Sequence, residues 1–362
     1  MIFLALFFLL AGTASGFERA LPGRVFEFPR DHFSHPEFEL EWWYYTGNLR
    51  ASTGRRFGFE LTFFRRAVER DRPVETPWEI DQYWLAHFAV SDIESGRFLK
   101  TERVNRSGPG LAGASHSQAL IWNGNWRVRW LDLDDPTGAQ ELRAISDEAE
   151  LALELRPAKQ PVVNGVDGVS QKASGEGRAS YYISFTRLET SGRIVLNDES
   201  YEVEGLAWMD HEFSTASMGP GQAGWDWLSI QLDDGSDLLL YRLRSLDGSV
   251  DVHSSGTYVD PGGRALHLRQ EDFVMTPGRT WRSEVTGGEY PVQWRIEAPG
   301  LGLRLEVTTL LDGQEVVAGR SASPNYWEGA VDYRGELRGK VVNGAGYLEM
   351  TGYDKPIQLG GR

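Results

Sequence analysis

The sequence predicts an all-β fold divided into two barrel-like domains. Three observations carry this. Aromatic residues make up 12% of the chain and accompany 41 glycines, a pairing that suits short strands and tight turns better than helical bundles. Apolar and polar residues alternate over short segments separated by Gly, Asn and Asp turns, with no sustained helical period. A Gly/Pro-containing stretch, Ser214–Gly224, breaks this pattern in a chain of 362 residues, a length comfortable for two domains.

Taken in order, the chain opens with Met1–Leu10, which is wholly apolar, followed by AGTASG. A run this short reads as a secretory leader rather than a membrane span, although no Lys or Arg precedes it. The expectation is a signal peptide over 1–16, an N-terminal domain over 17–215 and a C-terminal domain over 216–362. The mature protein is expected in the periplasm or outside the cell, with no transmembrane anchor after cleavage.

ELEWWYYTGNL (Glu39–Leu49) reads as a strand with Glu41, Trp43 and Tyr45 on one face and Trp42 and Tyr44 on the other. Both faces carry large aromatics, so one of them lines a cavity. RFGFELTFFRR follows a Ser-Thr-Gly turn as the second arm of a hairpin. DQYWLAHFAVSD is the next strand, and GLAWMDHEF closes the first half. Beyond the junction, WDWLSIQL and LLLYRLR flank an Asp-Gly turn. YWEGAVDYRGEL and GYLEMTGY form a final hairpin.

A formal net charge of -15 with no basic stripe argues against nucleic-acid binding, because phosphate repels an acidic surface. The absence of cysteine removes disulfides, thiol catalysis and iron–sulfur clusters. A metal would have to use His and carboxylates alone. The one textual candidate fails, since an HExxH motif starting at His211 needs a second His where Thr215 stands. No metal or other cofactor is expected.

Three constellations could carry chemistry. Asp210-His211-Glu212 sets two carboxylates on one strand face and the imidazole on the other. It is either a proton-transfer group or a solvated strand end. Trp225, Trp227 and Gln231 share a face across the junction. They suit an apolar pocket with a polar handle or plain inter-domain packing. Glu41 and Glu328 are each embedded in aromatics. Such surroundings favour the protonated acid that a general acid needs near neutral pH. The plainer reading is an edge charge that discourages sheet pairing.

Together, EWWYYTGNL, WLAHFAVSD, GLAWMDHEF, GWDWLSIQLDDG, YWEGAV and GYLEMTGY resemble the AttH-like family related to carotenoid 1,2-hydratase (hydroxyneurosporene synthase). The resemblance covers nearly the whole mature chain. It implies two lipocalin-like (calycin) barrels or half-barrels packed together, with a cavity at or near their junction. It implies Asp210, His211, Glu212 and Glu328 as catalytic groups. Glu41, Trp43, Tyr45, Trp225, Trp227, Gln231, Tyr326 and Tyr353 are the expected ligand-binding residues. The expected partner is an elongated hydrophobic small molecule that undergoes acid/base hydration or hydrolysis. A non-catalytic carrier of such a ligand, and a surface protein meeting a partner through its acidic face, stay open.

Overall fold

The computed structural model describes residues 16–68, 74–76, 78–134, 138–215, 218–319 and 324–357. Except for Gly16, the expected leader lies outside them. Nearly all regular structure is β, as the alternating pattern requires. A 13-stranded sheet is built before Ser214 and a 10-stranded sheet after Gln222. The first curls into a nearly closed barrel and the second into a half-barrel.

In the first sheet the long strands run in the order Arg97–Arg106, Gln82–Asp92, Arg56–Ala67, Leu40–Ala51, Glu199–Ser214, Ala179–Leu196 and Ala149–Pro157. Shorter strands between residues 112 and 145 continue it. At the centre of the second sheet lie Asp237–Ser245, Gln222–Leu232, Lys340–Thr351, Tyr326–Leu337 and Leu303–Thr309. Adjacent strands in these runs are antiparallel.

Alternation along the strands divides the aromatics. Trp43, Tyr45, Phe57, Phe59, Leu61, Phe63 and Met209 fill the first barrel. Leu228, Ile230, Trp327, Val331, Leu348 and Met350 fill the half-barrel. The intervening residues of the same strands form a third cluster, where Tyr44, Tyr182 and Trp208 of the first sheet meet Trp227, Tyr241 and Tyr347 of the second. Burying one large apolar side chain is worth roughly 1.5–3 kcal/mol, so this seam is a substantial part of the fold.

The seam is also stitched by polar groups. Gln231 Nε2 donates to the backbone oxygens of Thr186 and Ala207 at 2.8 and 2.9 Å. Asn48 Nδ2 donates to Gly346 O at 2.8 Å. Arg56 pairs with Asp332 at 2.6 Å. Gly58 permits the close approach, since a Cβ there would lie 2.9 Å from Ala330 Cβ and 3.0 Å from the Tyr347 hydroxyl.

Candidate active site between the two sheets

Strand register aligns one row of side chains on each sheet. On the first, His87 lies opposite Thr62, Thr62 opposite Tyr44, Tyr44 opposite Asp210 and Asp210 opposite Ser184. On the second, Tyr241 lies opposite Trp227, Trp227 opposite Glu349 and Glu349 opposite Glu328. The rows touch. Trp227 Nε1 donates to the Tyr182 hydroxyl at 2.9 Å, and its ring meets Tyr44 edge-on at 5.2 Å between centroids.

At one end sits Asp210, which is 2% exposed. It accepts hydrogen bonds from Tyr182 and Ser184, each at 2.5 Å, and from Trp208 Nε1 at 2.7 Å. Burial outweighs these bonds and pushes the carboxyl up to about 7. Glu212 beside it accepts from Ser180 and pairs with Lys172 at 3.3 Å. The Lys172 ammonium also lies over the Tyr241 ring, 4.1 Å from its centroid. Burial alone would lower the ammonium, but the charge of Glu212 and the adjoining Tyr241 hold it above its ordinary value.

At the other end, the Tyr44 hydroxyl donates to Glu328 Oε1 at 2.5 Å. Burial, reinforced by the charges of Glu60 and Glu349, holds Glu328 well above the usual carboxylate range. Glu60 accepts from Thr62 at 2.9 Å and from Tyr326 at 3.0 Å, yet burial lifts it to about 7. The Tyr326 hydroxyl in turn meets His87 Nδ1. Burial drives His87 down to about 4, so its imidazole is neutral. Glu60 Oε2, Glu328 Oε2 and His87 Nε2 are buried without a hydrogen-bond partner among the described residues, and each such atom is costly to leave bare. Glu349 is partly open to solvent and accepts from Trp225 Nε1. Burial and its acidic neighbours raise it to about 8.

The result is a set of carboxylic acids poised to give up protons near neutral pH, set in walls of Tyr44, Trp208, Trp227 and Tyr347. Acids of this kind transfer protons efficiently, and the aromatic faces stabilise positive charge between them.

The structure distributes the residues expected from sequence. Asp210, Glu212, Trp225, Trp227, Tyr326 and Glu328 come together in this seam. Gln231 is there too, with its amide given to the backbone stitch. Glu41, Trp43, Tyr45 and His211 point the other way, into the first barrel. Tyr353 lies in the half-barrel, where its hydroxyl donates to Asp226 at 2.8 Å.

Within the barrel, Glu41 Oε1 contacts His35 Nδ1 at 2.8 Å and His211 Nε2 at 2.9 Å, and Glu41 Oε2 accepts from Arg65 Nε at 2.8 Å. His35 Nε2 reaches Asp31 at 3.0 Å. Burial would raise Glu41, but the two histidines and Arg65 hold it well below its usual range. His35, Glu41 and His211 have ligand-type atoms within 4.8 Å of one another. Arg65 already places a fixed positive charge on that carboxylate, so the trio is held as an ion network.

Sequence reasoning passed over Glu60, His87, Glu349, Tyr44, Tyr182 and Lys172. Glu60, in GFELTFF, carried the same signal as Glu41, a lone acid in an aromatic run.

Among proteins of described activity, the chain is 25% identical over 170 residues to kievitone hydratase of Fusarium solani subsp. phaseoli, a match spanning 45% of this chain and 44% of that protein. It is 20% identical over 272 residues to the dehydratase asqC of Emericella nidulans, spanning 73% and 75%. A solved structure from Nitrosomonas europaea assigned to AttH superposes with a TM-score of 0.83 at 34% identity, covering 93% of this chain and 99% of that one. Kievitone hydratase of Nectria haematococca shares the fold, with a TM-score of 0.67 at 17% identity over 87% and 89% of the two chains. The profile described as AttH-like matches residues 19–353, and the chain belongs to that family.

Proposed function

We propose that this protein is a hydratase- or dehydratase-type enzyme acting on an elongated, uncharged hydrophobic molecule held between the two sheets. Relatives of this family are a hydratase and a dehydratase. The observation that carries the reading is the pair of buried acids, Asp210 and Glu328, that face one aromatic seam from opposite sheets.

In the hydration direction, one carboxylic acid gives its proton to an alkene carbon, and the π pair becomes the new C–H bond. The neighbouring carbon becomes cationic against the aromatic faces. A water oxygen then bonds to that carbon, and its surplus proton returns to the carboxylate just formed or passes to another acid of the cluster. Dehydration reverses these steps. Developing positive charge suits this site, because the cations described in the seam, Lys172 and Arg56, are paired with Glu212 and Asp332.

The test is a panel of apolar alkenes and tertiary alcohols incubated with the protein in oxygen-18 water. Incorporation that is lost in Asp210→Asn and Glu328→Gln supports the enzyme. Binding of the same compounds without turnover by the unaltered protein identifies a carrier instead. Export is part of the proposal, and N-terminal sequencing of the mature chain should begin at Phe17.

A further inference from the structure

A second site lies on the far side of the central strand pair. At the end of the first barrel, beside the loop Arg30–Pro36, is a cavity of about 560 Å³, a size typical of small-molecule sites. Phe33, Trp84 and Trp122 supply apolar walls, Gln82, His116 and three serines polar edges, and Arg30 an exposed cation. Among the described residues the lining includes no Asp or Glu.

Trp84 is the informative residue. It is 1% exposed, and its Nε1 has no acceptor among the described residues. A buried N–H left bare costs free energy, so an acceptor brought to it would be stabilised. Its ring stacks on Trp43 at 5.8 Å, and Trp43 stacks on His211 at 4.8 Å. The cavity therefore backs onto the packed barrel interior, on the opposite sheet face from the inter-sheet acids.

Charge separates the two sites further. In the seam between the sheets the cations Lys172 and Arg56 are already held by Glu212 and Asp332. Behind the cavity, Asp31 and Glu41 are compensated by Arg24, His35 and Arg65, which leaves Arg30 to set the sign at the entrance.

We propose that the mouth of the first barrel is a binding site for a small apolar carboxylate, whose chain or ring packs on Phe33 and Trp122 and whose oxygens are met by Trp84 Nε1 and Arg30. An Arg guanidinium and an indole N–H both favour an oxyanion, and neither gains as much from a neutral alcohol.

The experiment is calorimetric titration of the full chain with decanoate and with decanol, alongside NMR of the indole N–H groups. Decanoate should bind at least tenfold tighter than decanol, and it should move the Trp84 N–H signal downfield. Trp84→Phe, which keeps a ring but removes the donor, should weaken decanoate about tenfold. The surface variant Arg30→Gln, which leaves the core untouched, should erase the preference for decanoate over decanol. Glu328→Gln should leave decanoate affinity unchanged. Absence of decanoate binding, binding that survives Arg30→Gln with its preference intact, or binding altered by Glu328→Gln would overturn the assignment.

Discussion

Tyr44 and Glu328 meet across the seam, the phenol of the first sheet donating to the carboxyl of the second at 2.5 Å. The contact exists only when the two half-structures are docked, so the acid is assembled by docking.

Glu328→Gln should preserve the fold and lower hydration turnover by about a hundredfold or more, the scale of losing a general acid. Far-ultraviolet circular dichroism checks the fold, and product formation from oxygen-18 water checks the chemistry. Tyr44→Phe should have a smaller effect, about tenfold, because the acid remains but loses its orienting donor.

Stability should fall as pH rises through neutrality. Asp210 and Glu60 have folded values near 7, above their unfolded values. Their contribution is complete below the unfolded values and is lost as pH climbs through the folded ones. Glu41 works in the opposite sense. Its folded value is depressed, so its contribution is lost as pH falls through that value. Thermal melting should therefore peak near about pH 5 and decline toward pH 8, and the double variant Asp210→Asn, Glu60→Gln should flatten that decline.

Glu41→Gln should cost about 3–5 kcal/mol, the penalty for stranding a buried charge. The substitution leaves Arg65 in the barrel without its carboxylate and His35 with Asp31 alone. Urea unfolding measures it, and turnover per folded molecule should change little.

Gln231→Leu should destabilise the docked sheets by about 1–3 kcal/mol, because two buried carbonyls lose their shared donor. Affinity for an apolar probe should hold in the folded fraction. A loss of affinity without a loss of stability would return Gln231 to the role of ligand contact.

The all-β class was legible from alternation and turn chemistry, and so was the split of the triplet, with Asp210 and Glu212 on one face and His211 on the other. The partners of those acids were not legible. Lys172 and Tyr182 reach Glu212 and Asp210 through contacts that a lone strand does not encode. Strand 39–49 hid the larger ambiguity. Its two faces are equally aromatic, and only the docking of the second sheet assigns Tyr44 to the seam and Trp43 to the barrel. Glu41 therefore looked like a cavity acid, whereas it anchors an ion network.

The strands Leu40–Ala51 and Glu199–Ser214 form a partition wall between the barrel core and the inter-sheet seam, with alternate residues furnishing each side. Substitutions at even and odd positions can thus diversify one side while leaving the other intact. Insertion or deletion of a single residue in either strand is a different event. It would exchange the furnishings of both sides at once, so descendants of this chain should vary in letter along this wall but not in length.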